Sequence, residues 1–115
     1  MATRVIKASL VICGPSGVGK STIIGAMCNR FPSKVALSVS HTSRKPRPGE
    51  QDGIDYFFVS KEEMEAGAAS SDFLEVAHVH TNMYGTSKRA VESILAQKKV
   101  PILDVDKRGV EQIKL

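Results

Sequence analysis

The sequence predicts an α/β fold: a parallel sheet flanked by helices around a phosphate-binding loop, with a small, mostly antiparallel lobe inserted into it. Three observations predict it. The chain opens on an apolar run, a glycine-rich turn and an amphipathic segment. It closes on a second apolar run that ends in a carboxylate and passes into a helical segment. Between them lie short β-type runs separated by turn residues, without repeats or low-complexity stretches.

Residues 8–13 are a short apolar run that suits a buried strand. Gly14-Pro15-Ser16-Gly17-Val18-Gly19-Lys20-Ser21 then matches G-x-x-x-x-G-K-[ST] in full. Residues 22–31 place Ile24, Met27, Cys28 and Phe31 at i, i+3, i+4 and i+7, one apolar face of a helix. Strand, glycine-rich turn and helix in that order aim backbone N–H groups and a helix N-terminus at an anion. Lys20 then reaches the β and γ phosphates, and the Ser21 hydroxyl is placed for Mg²⁺. A nucleoside triphosphate is the expected ligand.

Pro32 ends this helix. Residues 34–39 are a second strand candidate. Residues 41–53 have turn chemistry and no periodicity. Residues 55–59 are a strand by aromatic and β-branched content. Ser60 and Glu63 form a capping box that opens a short helix, which is structural. Residues 66–71 are a small-residue loop, 73–79 a strand and 83–86 another extended piece. Ser87 caps a helix with Val91, Ile94 and Leu95 on one face. Residues 100–104 are a buried strand, with Pro101 tolerable near its start, and 107–115 begin a further helix.

Composition adds exclusions. The chain has 115 residues and a net charge of +4, with 42% hydrophobic and 24% charged residues. That is one domain's worth of ordinary globular chain. The mild positive charge fits phosphorylated substrates. Nucleic acid is not an expected partner, because there is no long basic stripe and no run of exposed aromatics. No apolar stretch reaches the length of a membrane span, and the N-terminus has no signal-peptide pattern. Ala2 excludes myristoylation. Cys13 and Cys28 sit in apolar settings and are expected to be reduced packing residues of a cytoplasmic protein.

Four side-chain groups carry further chemistry. Asp104, followed by Asp106, ends a buried strand beside the phosphate loop, where a carboxylate holds Mg²⁺ through water; the bland alternative is a pair of acids capping the next helix. Residues 106–109 also spell D-x-x-G, a GTPase switch string, but no N-K-x-D motif for guanine occurs. Arg44 and Arg47, stiffened by Pro46 and Pro48, make a fork for a phosphate, with Tyr56 and Tyr84 as hydroxyl donors. The alternative is a solvated basic loop. Glu75 alternates with Phe73, Ala77 and Val79, so it shares an apolar face, where a carboxylate needs a partner; the alternative is an edge-strand acid facing water, since Leu74 and Val76 make the opposite face apolar too. Guanine offers two adjacent donors that adenine lacks. His78 and His80 are assigned no role, and Met27, Met64 and Met83 are packing residues.

The residues that carry a family resemblance are the 14–22 loop, the run Ser38 to Glu50, Gly53-Ile54-Asp55-Tyr56, Phe73-Leu74-Glu75, Tyr84-Gly85-Thr86, and Ile102 to Asp106 with Gly109-Val110. In that order they resemble guanylate kinase. The resemblance implies that Gly14, Pro15, Ser16, Gly17, Val18, Gly19, Lys20, Ser21 and Thr22 bind ATP. It implies that Ser40, Glu75 and Thr86 hold guanine, that Arg44, Arg47, Tyr56 and Tyr84 hold the GMP phosphate, and that Gly85 belongs to the same GMP site. Asp104 and Asp106 lie near metal and GMP, with Ser21 and Asp104 toward Mg²⁺ and Lys20, Arg44 and Arg47 as catalytic cations. Residues 39–88 are then the inserted GMP-binding lobe of a single domain over 1–115.

The family's domain continues past residue 115, through a lid bearing further arginines, so an incomplete domain is expected. Weak or absent turnover and self-association through an exposed sheet edge follow from that. Two rivals remain: a non-catalytic protein-binding module of the same fold, disfavoured by the intact Gly19, Lys20 and Ser21, and a GTPase-like switch protein, which leaves Arg44, Arg47 and Glu75 unexplained.

Overall fold

The computed structural model describes residues 9–13 and 19–114, and holds two sheets. The first is parallel and three-stranded. Strand β1 (Leu10–Cys13) and strand β2 (Val35–Leu37) flank the strand that comes last in the chain, β7 (Val100–Val105). Helix α1 (Lys20–Arg30) connects β1 to β2. The second sheet is four-stranded, in the order β4-β3-β6-β5. It comprises β3 (His41–Thr42), β4 (Phe57–Phe58), β5 (Phe73–Val79) and β6 (Asn82–Ser87). Helix α2 (Lys61–Ala69) precedes β5, α3 (Lys88–Ala96) follows β6, and α4 (Lys107–Lys114) follows β7.

Parallel pairing puts the C-terminal ends of β1 and β7 side by side, Ile12 opposite Asp104 and Cys13 opposite Val105. Ligands of such sheets bind outside those ends. Pro101 lies one residue into β7, and its position near the strand start is where a missing N–H is tolerated. The core joins the two sheets. Val91 of α3, Leu103 and Val105 of β7 and Ile113 of α4 form one buried cluster, with Val11, Leu74, Leu95 and Val110 packed against it. Burying each such side chain contributes about 1.5–3 kcal/mol.

The caps follow the sequence. Ser60 accepts from the Glu63 N–H and Glu63 returns the bond, closing the box at the start of α2. Ser87 accepts from the Ala90 N–H at the start of α3. Helix α4 begins where the Asp106 carboxylate accepts the Gly109 N–H at 2.9 Å.

Several expectations change. Residues 41–53 are not all turn: His41 and Thr42 pair in parallel with β4 and antiparallel with β6. Two residues are too few to show a period. The lobe sheet is therefore mixed, with antiparallel β3–β6 and β5–β6 pairs and one parallel pair. The 55–59 strand shrinks to Phe57 and Phe58, because Gly53 to Tyr56 close a turn, with the Gly53 N–H donating to the Tyr56 carbonyl. Helix α1 ends at Arg30, so Phe31 is its C-cap and is 43% exposed rather than on the buried face. Met64 and Met83 are buried, as expected of packing residues. Cys13 is exposed and free, so it is not a core residue, while Cys28 is half-buried and free.

Candidate functional site: a cleft between the two sheets

One cavity of about 400 Å³ opens between the C-terminal end of the parallel sheet and the second sheet. Lys20, Asp104 and Asp106 line it from the first side. Ser40, Tyr56, Glu75 and Tyr84 line it from the other. Seven residues singled out in the sequence, from six separate stretches, thus line one cavity. Gly14 to Val18 lie outside the described residues. Gly19 is the N-cap of α1, and Ser21 and Thr22 are exposed in its first turn.

Lys20 opens α1, and its ammonium lies 3.0 Å from Asp104 Oδ1. The contact fixes the distance between the phosphate loop's helix and the end of β7. It also means that Asp104, expected to face a metal, is engaged by a cation in this state. The pair is part-exposed, so its attraction is screened and exchangeable.

Glu75 is the most buried ionisable group of the cavity, at 7% exposure. Burial pushes its carboxyl pKa upward, the Thr86 hydrogen bond opposes the shift, and the charge of Asp106 adds to it. Thr86 Oγ1 donates to Glu75 Oε1 at 3.0 Å. Thr86 and Gly85 hold the wall from behind and do not themselves line the cavity.

The reason for the orientation of Glu75 differs from the expected alternation with Phe73. A bulge falls between Phe73 and Glu75: Phe73 faces Ser87 while Glu75 faces Thr86. One residue is left over, which turns the strand. Phe73 packs over Gly85 and Gly67, the latter in α2, whereas Glu75 points to the opposite side with Thr86. Only Ala77 and Val79 share the cavity with it.

Gly109 explains how a helix comes so close. A β-carbon there would stand 3.0 Å from Val105 Cβ and 3.4 Å from Glu75 Cδ. The D-x-x-G string is accounted for in this way: Asp106 caps α4 and lines the cavity, and Gly109 lets α4 approach Glu75. The reading of Asp106 as a helix-capping acid is therefore realised alongside its place in the cavity.

Arg44 stands beside the tyrosines that line the cavity. Its Cζ is 5.2 Å from the Tyr56 ring centroid and 5.9 Å from that of Phe58. The Tyr56 and Tyr84 rings are 5.9 Å apart. Arg44 is held by Glu50 rather than paired with Arg47, and the Arg47 side chain is exposed. The two-arginine fork is thus one fixed guanidinium and one exposed one.

Three residues of the site escaped sequence reasoning. Ser38 lines the cavity at 4% exposure, and its hydroxyl has no hydrogen-bond partner among the described residues. Its i, i+2 spacing from Ser40 was the available signal. Asp55 also lines the cavity, while its carboxylate accepts the Gln51 N–H. Glu50, three residues after Arg47, is the third.

A family model described as guanylate kinase matches residues 7–115. The chain belongs to the guanylate kinase family. It is 50% identical over 105 residues to the guanylate kinase of Schizosaccharomyces pombe, a match covering 91% of this chain and 52% of that protein. It is 48% identical over 105 residues to the guanylate kinase of Sus scrofa, covering 91% of this chain and 53% of the relative. The crystal structure of guanylate kinase from Anaplasma phagocytophilum superposes with a TM-score of 0.67 at 28% identity, covering 90% of this chain and 50% of that one. The chain spans about half the length of these guanylate kinases. Among the described residues, no helix is long and apolar enough to cross a membrane.

Proposed function

We propose that this chain carries the acceptor site and the donor-phosphate site of an ATP:GMP phosphotransferase, a cytoplasmic enzyme that makes ADP and GDP. The observation that carries the reading is the shared cavity: Glu75 and Ser40 stand on one wall, Lys20 and Asp104 on the other. A base and a phosphoryl group held in one cleft is what transfer between two nucleotides needs.

Guanine presents N1–H and an exocyclic amine side by side, and the Glu75 carboxylate accepts from both. The Thr86 hydroxyl keeps that carboxylate oriented. Tyr56 and Tyr84 direct their phenols, and Arg44 its guanidinium, at the acceptor phosphate. Residues 39–88 are the lobe that binds GMP, and Arg47 closes on the same phosphate from its exposed position. The acceptor phosphate has a second pKa of about 6, so it is its own nucleophile at neutral pH and needs no general base. Catalysis then consists of holding two anions in line and neutralising the transferred group. Lys20, released from Asp104, moves to the phosphates.

Among the described residues, no cluster of three metal-binding side chains occurs. Mg²⁺ does not require one, because it keeps several waters and takes one or two protein oxygens with the substrate phosphates. Ser21 and Asp104 supply such oxygens: Asp104 is tied to Lys20, the residue next to Ser21. When bound, the ion would neutralise charge on the β and γ phosphates.

A coupled assay of ADP formation on this chain, with GMP, AMP, UMP or no acceptor, tests the proposal. Transfer to GMP alone supports it. ATP hydrolysis independent of any acceptor overturns it. Arg44→Lys keeps the charge and loses the planar fork. It is expected to weaken GMP binding about tenfold or more while leaving guanosine and ATP binding nearly unchanged, as read by calorimetric titration. Equal losses for guanosine and GMP would remove the arginine from the phosphate.

Self-association belongs to the same proposal. The outer edge of β1 has no partner strand among the described residues, and Leu10 is 38% exposed. An open apolar edge recruits other chains. Sedimentation of the 115-residue chain is expected to show species larger than a monomer.

A further inference from the structure

Glu50 has more contacts with Arg44 than a solvated loop acid would make. Arg44 Nη1 donates to Glu50 Oε1 at 2.9 Å, and Arg44 Nη2 donates to Glu50 Oε2 at 3.0 Å. Arg44 Nη1 also donates to the Lys45 carbonyl at 3.0 Å. Glu50 is fixed in its turn. Its Oε1 accepts the Arg47 N–H at 2.7 Å, and its own N–H donates to the Arg47 carbonyl at 3.0 Å. The side chains are only 11% and 21% exposed, so the pair is largely shielded.

A guanidinium has five N–H groups. Both Nη1 donors and one Nη2 donor are committed. The remaining Nη2–H and the Nε–H lie together on the other edge of the planar group, in the geometry that grips two oxygens of one phosphate. The rings of Tyr56 and Phe58 under Arg44 hold that plane. The Tyr84 phenol, on the cavity wall, also acts on this guanidinium.

We propose that Glu50 is a positioning residue for acceptor binding: its carboxylate locks the plane of Arg44 so that the free edge of the guanidinium is preset for the phosphate. The inference rests on the acceptor site proposed above. Glu50 stays ionised throughout the working range, because the Arg44 hydrogen bonds and the Arg47 N–H hold its pKa down to about 2. It acts through Arg44 and touches no substrate. Without the lock, part of the binding energy goes into ordering a long side chain.

The test is a double-mutant cycle with a separate readout on the bare protein. Glu50→Gln keeps shape and loses charge. It is expected to weaken GMP about tenfold or more and leave guanosine affinity unchanged. In an Arg44→Lys background the same change should cost little more, because the two residues act as one unit. Additive losses, equal losses for guanosine and GMP, or tighter GMP binding by E50Q would each overturn the proposal. The ligand-free readout is the NMR signal of the Arg44 side chain. Hindered rotation about the Cζ–Nε bond is expected in the wild type and averaged rotation in E50Q. A freely rotating Arg44 in the wild type overturns the proposal whether or not GMP binds. Failure of the wild type to bind GMP with Arg44 still locked would instead sink the acceptor-site reading.

Discussion

Lys20→Met is expected to lower phosphoryl transfer to GMP by about 10²–10³-fold or more, with GMP affinity unchanged. In the proposed reaction the ammonium acts on charge that grows on the phosphates in the transition state, so the loss is expected mainly on kcat. Methionine matches the length of the stem, and the lost contact with Asp104 is at a part-exposed pair. The fold should survive, and circular dichroism with a thermal melt reads that directly. A weaker grip on ATP should accompany the kinetic loss. Near-normal turnover by the variant would remove Lys20 from the chemistry.

Glu75→Gln is expected to divide function from stability. On the functional side, an amide places a donor where guanine also donates. GMP efficiency should fall on the order of 10⁴-fold, the scale seen when a buried polar partner is left unpaired. AMP should lose far less, because glutamine can donate to adenine N1. Steady-state assays with both acceptors read the split, and equal losses would make Glu75 a structural residue.

On the stability side the sign is opposite. Burial raises the pKa of Glu75 in the folded chain above its unfolded value. A raised carboxyl favours the fold below the unfolded pKa, and that benefit is lost as pH rises through the folded pKa. At neutral pH the ionised group is therefore a burden on the fold. Glutamine removes the burden and still accepts from Thr86. The variant should melt higher than the wild type at pH 7, with the gap closing as pH falls below about 4.5, the ordinary carboxyl value. A variant that melts lower at pH 7 would mean that the cavity solvates the carboxylate well.

The legible parts of this chain are those with long range in sequence. Helix α3 announces itself through its capping serine and apolar spacing, and the start of α2 through its capping box, but α2 runs on to Ala69 through small residues expected to form a loop, because alanines extend a helix without showing a period. The β7 strand does so through an apolar run ending in Asp104. Seven residues of the cleft were legible because the phosphate and guanine chemistry expected of them calls for unusual side chains in fixed company, whereas Ser38 and Asp55 carry no such mark. What remained hidden is set by three-dimensional neighbours. The His41–Thr42 strand exists because β4 and β6 flank it, not because of any period of its own. The bulge beside Glu75 depends on the register against β6, so alternation assigned Phe73 to the wrong face. Glu50 has the composition of a loop acid, and only the geometry ties both of its oxygens to Arg44. The exposure of Cys13 reflects its place at a strand end, which an apolar neighbourhood in sequence conceals.

Beyond its packing against β5, helix α4 is hydrogen-bonded to that strand by Gln112. Its Oε1 accepts the Val76 N–H at 2.8 Å, and its Nε2 donates to the Val76 carbonyl at 2.9 Å. A primary amide here imitates a peptide group, so one residue of a helix stands in for one rung of a missing strand. The rung lies midway along the open margin of the second sheet. A foreign strand seeking to add there would have to evict Gln112 before pairing past the middle of β5. The same rung ties the strand that bears Glu75 to the helix that follows Asp104. Because it grips main chain, substitutions of the Val76 side chain leave this tie in place.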